Sequence, residues 1–301
     1  MTGQAPQTMR VRDWVSDAAQ AMDQAGLYFG HGTDNAWDEA CWMVAWGLDV
    51  APDFGDEVAD RGLNGEAIEK LNTVLAERIS TRQPLAHLIG EAWLGGCQFK
   101  VTADVLVPRS PIAELIGQGF APWVAIDAIE RVLDVGTGCG CLACLTAKTW
   151  PHLRVEAVDI SPAAVRLAED NIHRLRLSGQ VDVHTSDLFS ALPGERFDVI
   201  LANPPYVPER SMATLPREYG HEPRLGLVAG EQGLDVVIPL VQQARSHLTE
   251  RGVLICEVGE AQDAFDAWAQ RHRLAVTWLE FDNGGEGVFL VEAPALEVLA
   301  P

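Results

Sequence analysis

The stretch Arg131-Val132-Leu133-Asp134-Val135-Gly136-Thr137-Gly138-Cys139-Gly140-Cys141-Leu142 begins as a short apolar run, breaks into alternating glycines and ends in an apolar helical pattern. A strand, a tight turn and a helix in that order predict an α/β unit. Glycines at the turn let the backbone reverse sharply and come close to a ligand. The spacing is G-x-G-x-G. The dinucleotide turn G-x-G-x-x-G would place its third glycine where Cys141 stands.

Downstream, strand and helix patterns alternate. Strands are expected at 131–135, 155–159, 181–184, 197–202, 253–258, 274–281 and 287–292. Helices are expected at 142–149, 162–175, 234–248 and 261–270, with Ser161 and Pro162 as cap and first-turn signals. Such alternation predicts an α/β sheet with helices on both faces. The second strand ends in Asp159, 23 residues after Gly136, where a carboxylate can accept from both hydroxyls of a ribose. The third runs into Asp187 and Leu188, placed to accept from an adenine amino group and to pack on its ring.

The fourth strand ends in Asn203-Pro204-Pro205-Tyr206. Consecutive prolines fix φ near −65° and carry no N–H, so carbonyls can be held toward a ligand without an internal partner. An amide nitrogen is a poor nucleophile because its lone pair is delocalised. If the Asn203 oxygen and the Pro204 carbonyl each accept one N–H, an NH₂ group is oriented and made richer in electrons for in-line attack on a methyl donor. Tyr206 offers a flat face for the amide or base.

Upstream, residues 1–82 read as helical, with apolar spacing over 11–27, a second helix capped by Thr33 or Asp34, and a third over 67–79. The Trp37/Trp42/Trp46 run reads as core. Residues 83–129 form a connector. Its glycines at 90, 95 and 96 separate apolar stretches at 87–89, 97–101 and 105–107, a β-hairpin pattern, and a short helix follows through Ile112, Leu115 and Ile116. The remaining domain is 130–301.

Residues 84–292 resemble the glutamine-N5 methyltransferases that modify translation proteins. That family has a small helical N-terminal domain and a Rossmann-like class I methyltransferase sheet. Val107-Pro108-Arg109-Ser110-Pro111-Ile112, Glu218-Tyr219-Gly220-His221-Glu222-Pro223 and Phe281-Asp282-Asn283-Gly284-Gly285-Glu286-Gly287-Val288 are similar to its branch acting on the third protein of the large ribosomal subunit. Asp134-Val135-Gly136-Thr137 is nearer the release-factor branch. The resemblance implies S-adenosyl-L-methionine as cofactor, held by Asp134, Gly136, Thr137, Gly138, Cys139, Gly140, Asp159, Ile160, Asp187, Leu188 and Asn203. It implies that Asn203, Pro204, Pro205 and Tyr206 hold the substrate glutamine. Because the Asn-Pro-Pro-Tyr motif is shared with adenine-N6 and some guanine-N2 methyltransferases, it specifies chemistry more tightly than substrate.

Composition narrows the partners. The net charge is −21, and acidic residues outnumber basic ones 15 to 7 in residues 1–100 and 28 to 15 in the rest. Tight duplex binding needs Lys and Arg on phosphates, so a base methyltransferase is disfavoured. An acidic surface steers a basic partner or serves solubility alone; a basic ribosomal protein as that partner is what the resemblance implies. Of the six cysteines, Cys139, Cys141 and Cys144 cluster at a spacing unlike a zinc site, and no metal is expected. No apolar run reaches membrane-helix length and the N-terminus is polar, so a cytoplasmic protein with no membrane partner and no secretory leader is expected.

Overall fold

The computed structural model describes residues 9–299, in two compact units. Residues 1–8, on which the reading of a leaderless N-terminus partly rests, lie outside the described residues. Among the described residues, no helix is long and apolar enough to cross a membrane.

The helical unit takes Met1–Glu91 together with Pro216–His221. Its helices are α1 (Val11–Gln24), α2 (Ala36–Leu48), α3 (Asp56–Ala59), α4 (Gly65–Thr81) and α5 (Leu85–Ile89). In α1, Val11, Trp14, Val15, Ala18 and Met22 fall on one buried stripe. The cap of α2 is Asn35, whose side chain accepts from the Asp38 N–H; Thr33 instead donates to Glu39, three residues inside the helix. Trp42 is buried and Trp46 lies under the Lys70 ammonium, but Trp37 is 51% exposed. Five residues of helix turn Trp37 roughly 140° away from Trp42, so the two cannot share a face. Arg78 is fully buried: its guanidinium donates to Glu39 at 2.7 Å and to the Tyr28 carbonyl at 2.9 Å. Arg82 donates to Glu218 at 2.9 Å, and Glu218 also accepts the Tyr28 N–H. These charge-assisted bonds hold the distant segment Pro216–His221 within the unit.

The second unit takes Ala92–Leu215 and Glu222–Pro301. The hairpin is β1 (Glu91–Leu94) and β2 (Cys97–Lys100), turning at Gly95 and Gly96; α6 (Ile112–Gly117) follows. Residues 87–89 belong to α5 rather than to a strand, and 105–107 carry no strand. The central run is β3 (Arg131–Val135), α7 (Cys141–Thr149), β4 (Arg154–Asp159), α8 (Pro162–Arg174), β5 (Val181–Thr185) and β6 (Phe197–Ala202). After it come α9 (Arg224–Leu227), α10 (Val237–His247), β7 (Leu248–Glu257), α11 (Gln262–Arg271), β8 (Thr277–Trp278) and β9 (Val288–Glu292). The strand expected over 274–281 shrinks to Thr277–Trp278, which pair with Leu290 and Phe289 of β9, and Leu279 adds one further bond, its N–H donating to the Val288 carbonyl.

Seven strands form one sheet in the order β5-β4-β3-β6-β7-β9-β8, in which β9 alone runs against the others. The inner strands β3 and β6 are buried along almost their whole length because both faces are covered. Phe265 of α11 stacks on Phe289 of β9, ring centres 4.1 Å apart, in the core beneath α10 and α11. The chain winds one way from β3 through β4 to β5 and the other way from β6 outward. The order reverses between β3 and β6, where open α/β sheets leave a crevice.

Candidate active site

Register sets the site. Val135 pairs with both Val158 and Ala202, and Ala202 pairs with Cys256. The next residue on each strand (Gly136, Asp159, Asn203 and Glu257) therefore emerges at one level along the C-terminal edge of the sheet. A cavity of about 240 Å³ opens there, lined by the glycine turn, the strand tips and the 104–110 and 223–228 loops.

The glycine turn is built from buried bonds. Asp134 is buried and accepts from the Thr137 hydroxyl at 2.6 Å and from the Ala143 N–H at 3.1 Å. Burial pushes its carboxyl up to about 6, against the pull of those two donors. The Gly136 and Thr137 N–H groups donate to the Val158 carbonyl. Gly136 has φ +74°, and a Cβ there would lie 3.9 Å from the Asn203 carbonyl oxygen and Pro204 Cα, projecting toward the crevice. Gly140 serves packing: at φ +80° it caps α7, and a Cβ would meet Ala168 of α8 at 3.1 Å.

Each oxygen of Asp159 accepts one backbone N–H, from Gly138 at 2.9 Å and from Ser161 at 2.8 Å. A carboxylate has about four acceptor positions, so capacity remains on both oxygens for a ribose diol. Burial raises its pKa, and the two donors oppose that rise. Leu188 is held at φ +47° while the Ser186 hydroxyl donates to its carbonyl. Ile160 and Leu225 line the same cavity with 52% and 60% of their surfaces exposed, leaving apolar area for a ligand to cover.

On the facing side, Asn203 Nδ2 donates to the Arg109 carbonyl at 3.1 Å. That bond identifies the amide's nitrogen end and leaves Oδ1 as its acceptor. Arg109 is fixed in turn by a two-pronged ion pair with Glu222, at 2.8 and 2.6 Å, and Glu222 also accepts the Val107 N–H. The chain beyond the motif is pinned by Val207, whose N–H donates to the Leu227 carbonyl and whose carbonyl accepts from Ala229.

Of the sequence-predicted residues, Asp134, Gly136, Thr137, Gly138, Cys139, Asp159, Ile160, Asp187, Leu188, Asn203, Pro204 and Pro205 line the cavity. Gly140 and Tyr206 stand outside the lining. A Cβ at Gly259 would lie 2.5 Å from the Tyr206 ring, and the Tyr206 hydroxyl donates to Glu257 at 2.8 Å. Sequence reasoning missed Glu222 and Glu257 as site groups. The signal for Glu257 was a single carboxylate ending the apolar run Val253-Leu254-Ile255-Cys256. Cys139 and Cys144 are buried, burial pushes the Cys144 thiol upward, and no group of three metal-binding side chains occurs among the described residues.

Residues 122–215 match the family model "Methyltransferase small domain". The hMettl16 catalytic domain, in complex with the MAT2A 3'UTR hairpin 6, superimposes with a TM-score of 0.53 at 17% identity, covering 83% of this chain and 91% of that one. The superposition gives the fold, the Rossmann-like class I type, and the family model covers the 122–215 segment; with the relatives that follow, the class is that of methyltransferases. Closer relatives carry one name. The ribosomal protein uL3 glutamine methyltransferase of Xylella fastidiosa (strain Temecula1) is 43% identical over 94% of this chain and 90% of its own. Those of Bordetella pertussis and Francisella tularensis are 40% and 38% identical over 93% of this chain, and 94% and 89% of theirs. The chain belongs to the ribosomal protein uL3 glutamine methyltransferase family.

Proposed function

We propose that the chain transfers a methyl group from S-adenosyl-L-methionine to a glutamine side-chain amide of ribosomal protein uL3. The residues suit that cofactor: glycines at positive φ where the turn meets the crevice, a carboxylate with spare acceptor positions at the second strand tip, and two exposed apolar side chains in one cavity. Gly136 and Gly138 would let it approach the backbone, Asp159 would take the ribose hydroxyls, and Asp187, Leu188 and Ile160 would meet the adenine. When bound, it supplies an electrophilic methyl on a sulfonium.

The observation that carries the reading is the Asn203 amide, held through Nδ2 by the Arg109 carbonyl so that Oδ1 is its remaining acceptor. Oδ1 and the Pro204 carbonyl would each accept one N–H of the glutamine NH₂, which turns the nitrogen lone pair toward the methyl. Both acceptors strengthen as the nitrogen gains positive charge, so they favour the transition state over the ground state. The proton then becomes acidic and leaves to water without a dedicated base.

The test offers labelled S-adenosylmethionine with unmodified uL3, unmodified release factor and unmodified nucleic acid in parallel. Label on uL3 supports the reading. Label confined to release factor or to nucleic acid overturns the substrate, and no label anywhere overturns the activity.

A further inference from the structure

We propose that Glu257 is a positioning residue for methyl transfer, clamping from behind the two loops that aim the Asn203 amide. This deepens the function proposed above and rests on it.

Glu257 ends β7, next to β6 in the sheet, at the level of Asn203. Its carboxylate bridges two hydroxyls: Oε1 accepts from Tyr206 at 2.8 Å and Oε2 from Ser110 at 2.6 Å. Both partners flank the proposed acceptor site. Tyr206 ends the Asn203-Pro204-Pro205-Tyr206 segment. Ser110 directly follows Arg109, whose carbonyl holds Asn203 Nδ2. Asn203 is thus tied to the same carboxylate by two routes, through its own loop and through the loop that fixes its nitrogen.

The carboxylate is buried, which makes it an expensive way to hold structure alone. Two neutral hydroxyl donors oppose the cost, and the Arg109 charge helps. Tyr206 has little room elsewhere: Gly259 lies against its ring and a Cβ at Gly233 would lie 2.1 Å from its carbonyl oxygen. A hydrogen-bonded side chain in a close-fitting slot fixes direction, and small misalignments at a reacting nitrogen are costly in rate. Glu257 touches neither the cofactor cavity nor the proposed acceptor directly.

The experiment measures uL3 methylation by wild type, Glu257→Ala, Glu257→Gln, Tyr206→Phe and the Glu257→Gln/Tyr206→Phe double variant. S-adenosylmethionine affinity and unfolding free energy are measured on each protein. Gln keeps the shape and can accept from one hydroxyl while donating to the other. Expected are a kcat loss of more than about tenfold for Glu257→Ala and a smaller loss for Glu257→Gln, with the KM for uL3 and the cofactor affinity nearly unchanged. The double variant should be no slower than the slower single, as for residues acting as one unit. Multiplying losses, or a loss carried by cofactor affinity, overturn the proposal. If wild type leaves uL3 unlabelled, the substrate reading has failed, and the clamp is decided by unfolding: sub-additive losses in the double variant support it and additive losses overturn it.

Discussion

Asp159 accepts from two backbone donors and still has capacity on both oxygens, so its removal should register first in cofactor binding. Asp159→Ala is expected to weaken S-adenosylmethionine binding by roughly 1.5–3 kcal/mol, the scale of hydrogen bonds to a charged group, and calorimetry would check it; unchanged affinity removes the ribose role. Asn203→Ala should act on the other side, cutting kcat by about a hundredfold or more while leaving cofactor affinity mostly intact; steady-state rates beside a binding isotherm separate the two. Asp134 has a different signature. Its folded pKa is about 6, above the ordinary carboxylate value, because it is buried. The folded state therefore holds a proton that the unfolded state has released between about pH 4 and 6. Its contribution to stability is full below that window and is lost as pH rises through 6, at up to about 1.4 kcal/mol per unit. Denaturant titrations of wild type and Asp134→Asn across the window should show that slope in wild type and less of it in the variant. At this scale much of the candidate site was legible, because Gly136, Asp159 and Asn203 each follow an apolar run whose length marks the strand tip. The bond from Asn203 to Arg109 and the pairing of Arg109 with Glu222 were not, since they join residues 94 and 113 positions apart with no periodic signal between them.

Elements were legible where their apolar pattern was long and regular. β3 and β6 have the bounds expected from sequence, and α8 carries the Ser161 cap and first-turn Pro162. Short elements were decided by pairing instead. Residues 274–281 have strand composition but meet β9 only over Thr277 to Leu279. Residues 87–89 close α5 because Gly90, at φ +74°, ends a helical turn there. Gly140 marks the contact of two elements: a methyl group would press on Ala168 of α8, and φ +80° is unfavourable for alanine. Gly140→Ala is expected to cost roughly 1–3 kcal/mol, read as a drop in the thermal unfolding midpoint; an unchanged midpoint would show that α7 and α8 have slack at this contact.

Across the whole molecule, the alternation of strands with helices and the acidic charge are the features that sequence conveyed best, because both are patterns carried by many residues. The assignment of Pro216–His221 to the helical unit was invisible, since it rests on Glu218 meeting Arg82 across 136 positions. A net charge of −21 should steer a basic protein substrate. Raising ionic strength from about 0.05 to 0.3 M is then expected to lower kcat/KM for uL3 several-fold with kcat little changed, and a flat salt profile would remove electrostatic steering from the account. The most direct test of the central claim is mass-spectrometric mapping of the methyl group on uL3 after reaction with wild type and with Asn203→Ala. The account predicts a single methylated glutamine side-chain amide with wild type and almost none with the variant. A methyl on any other side chain, or an equal yield from Asn203→Ala, would contradict it.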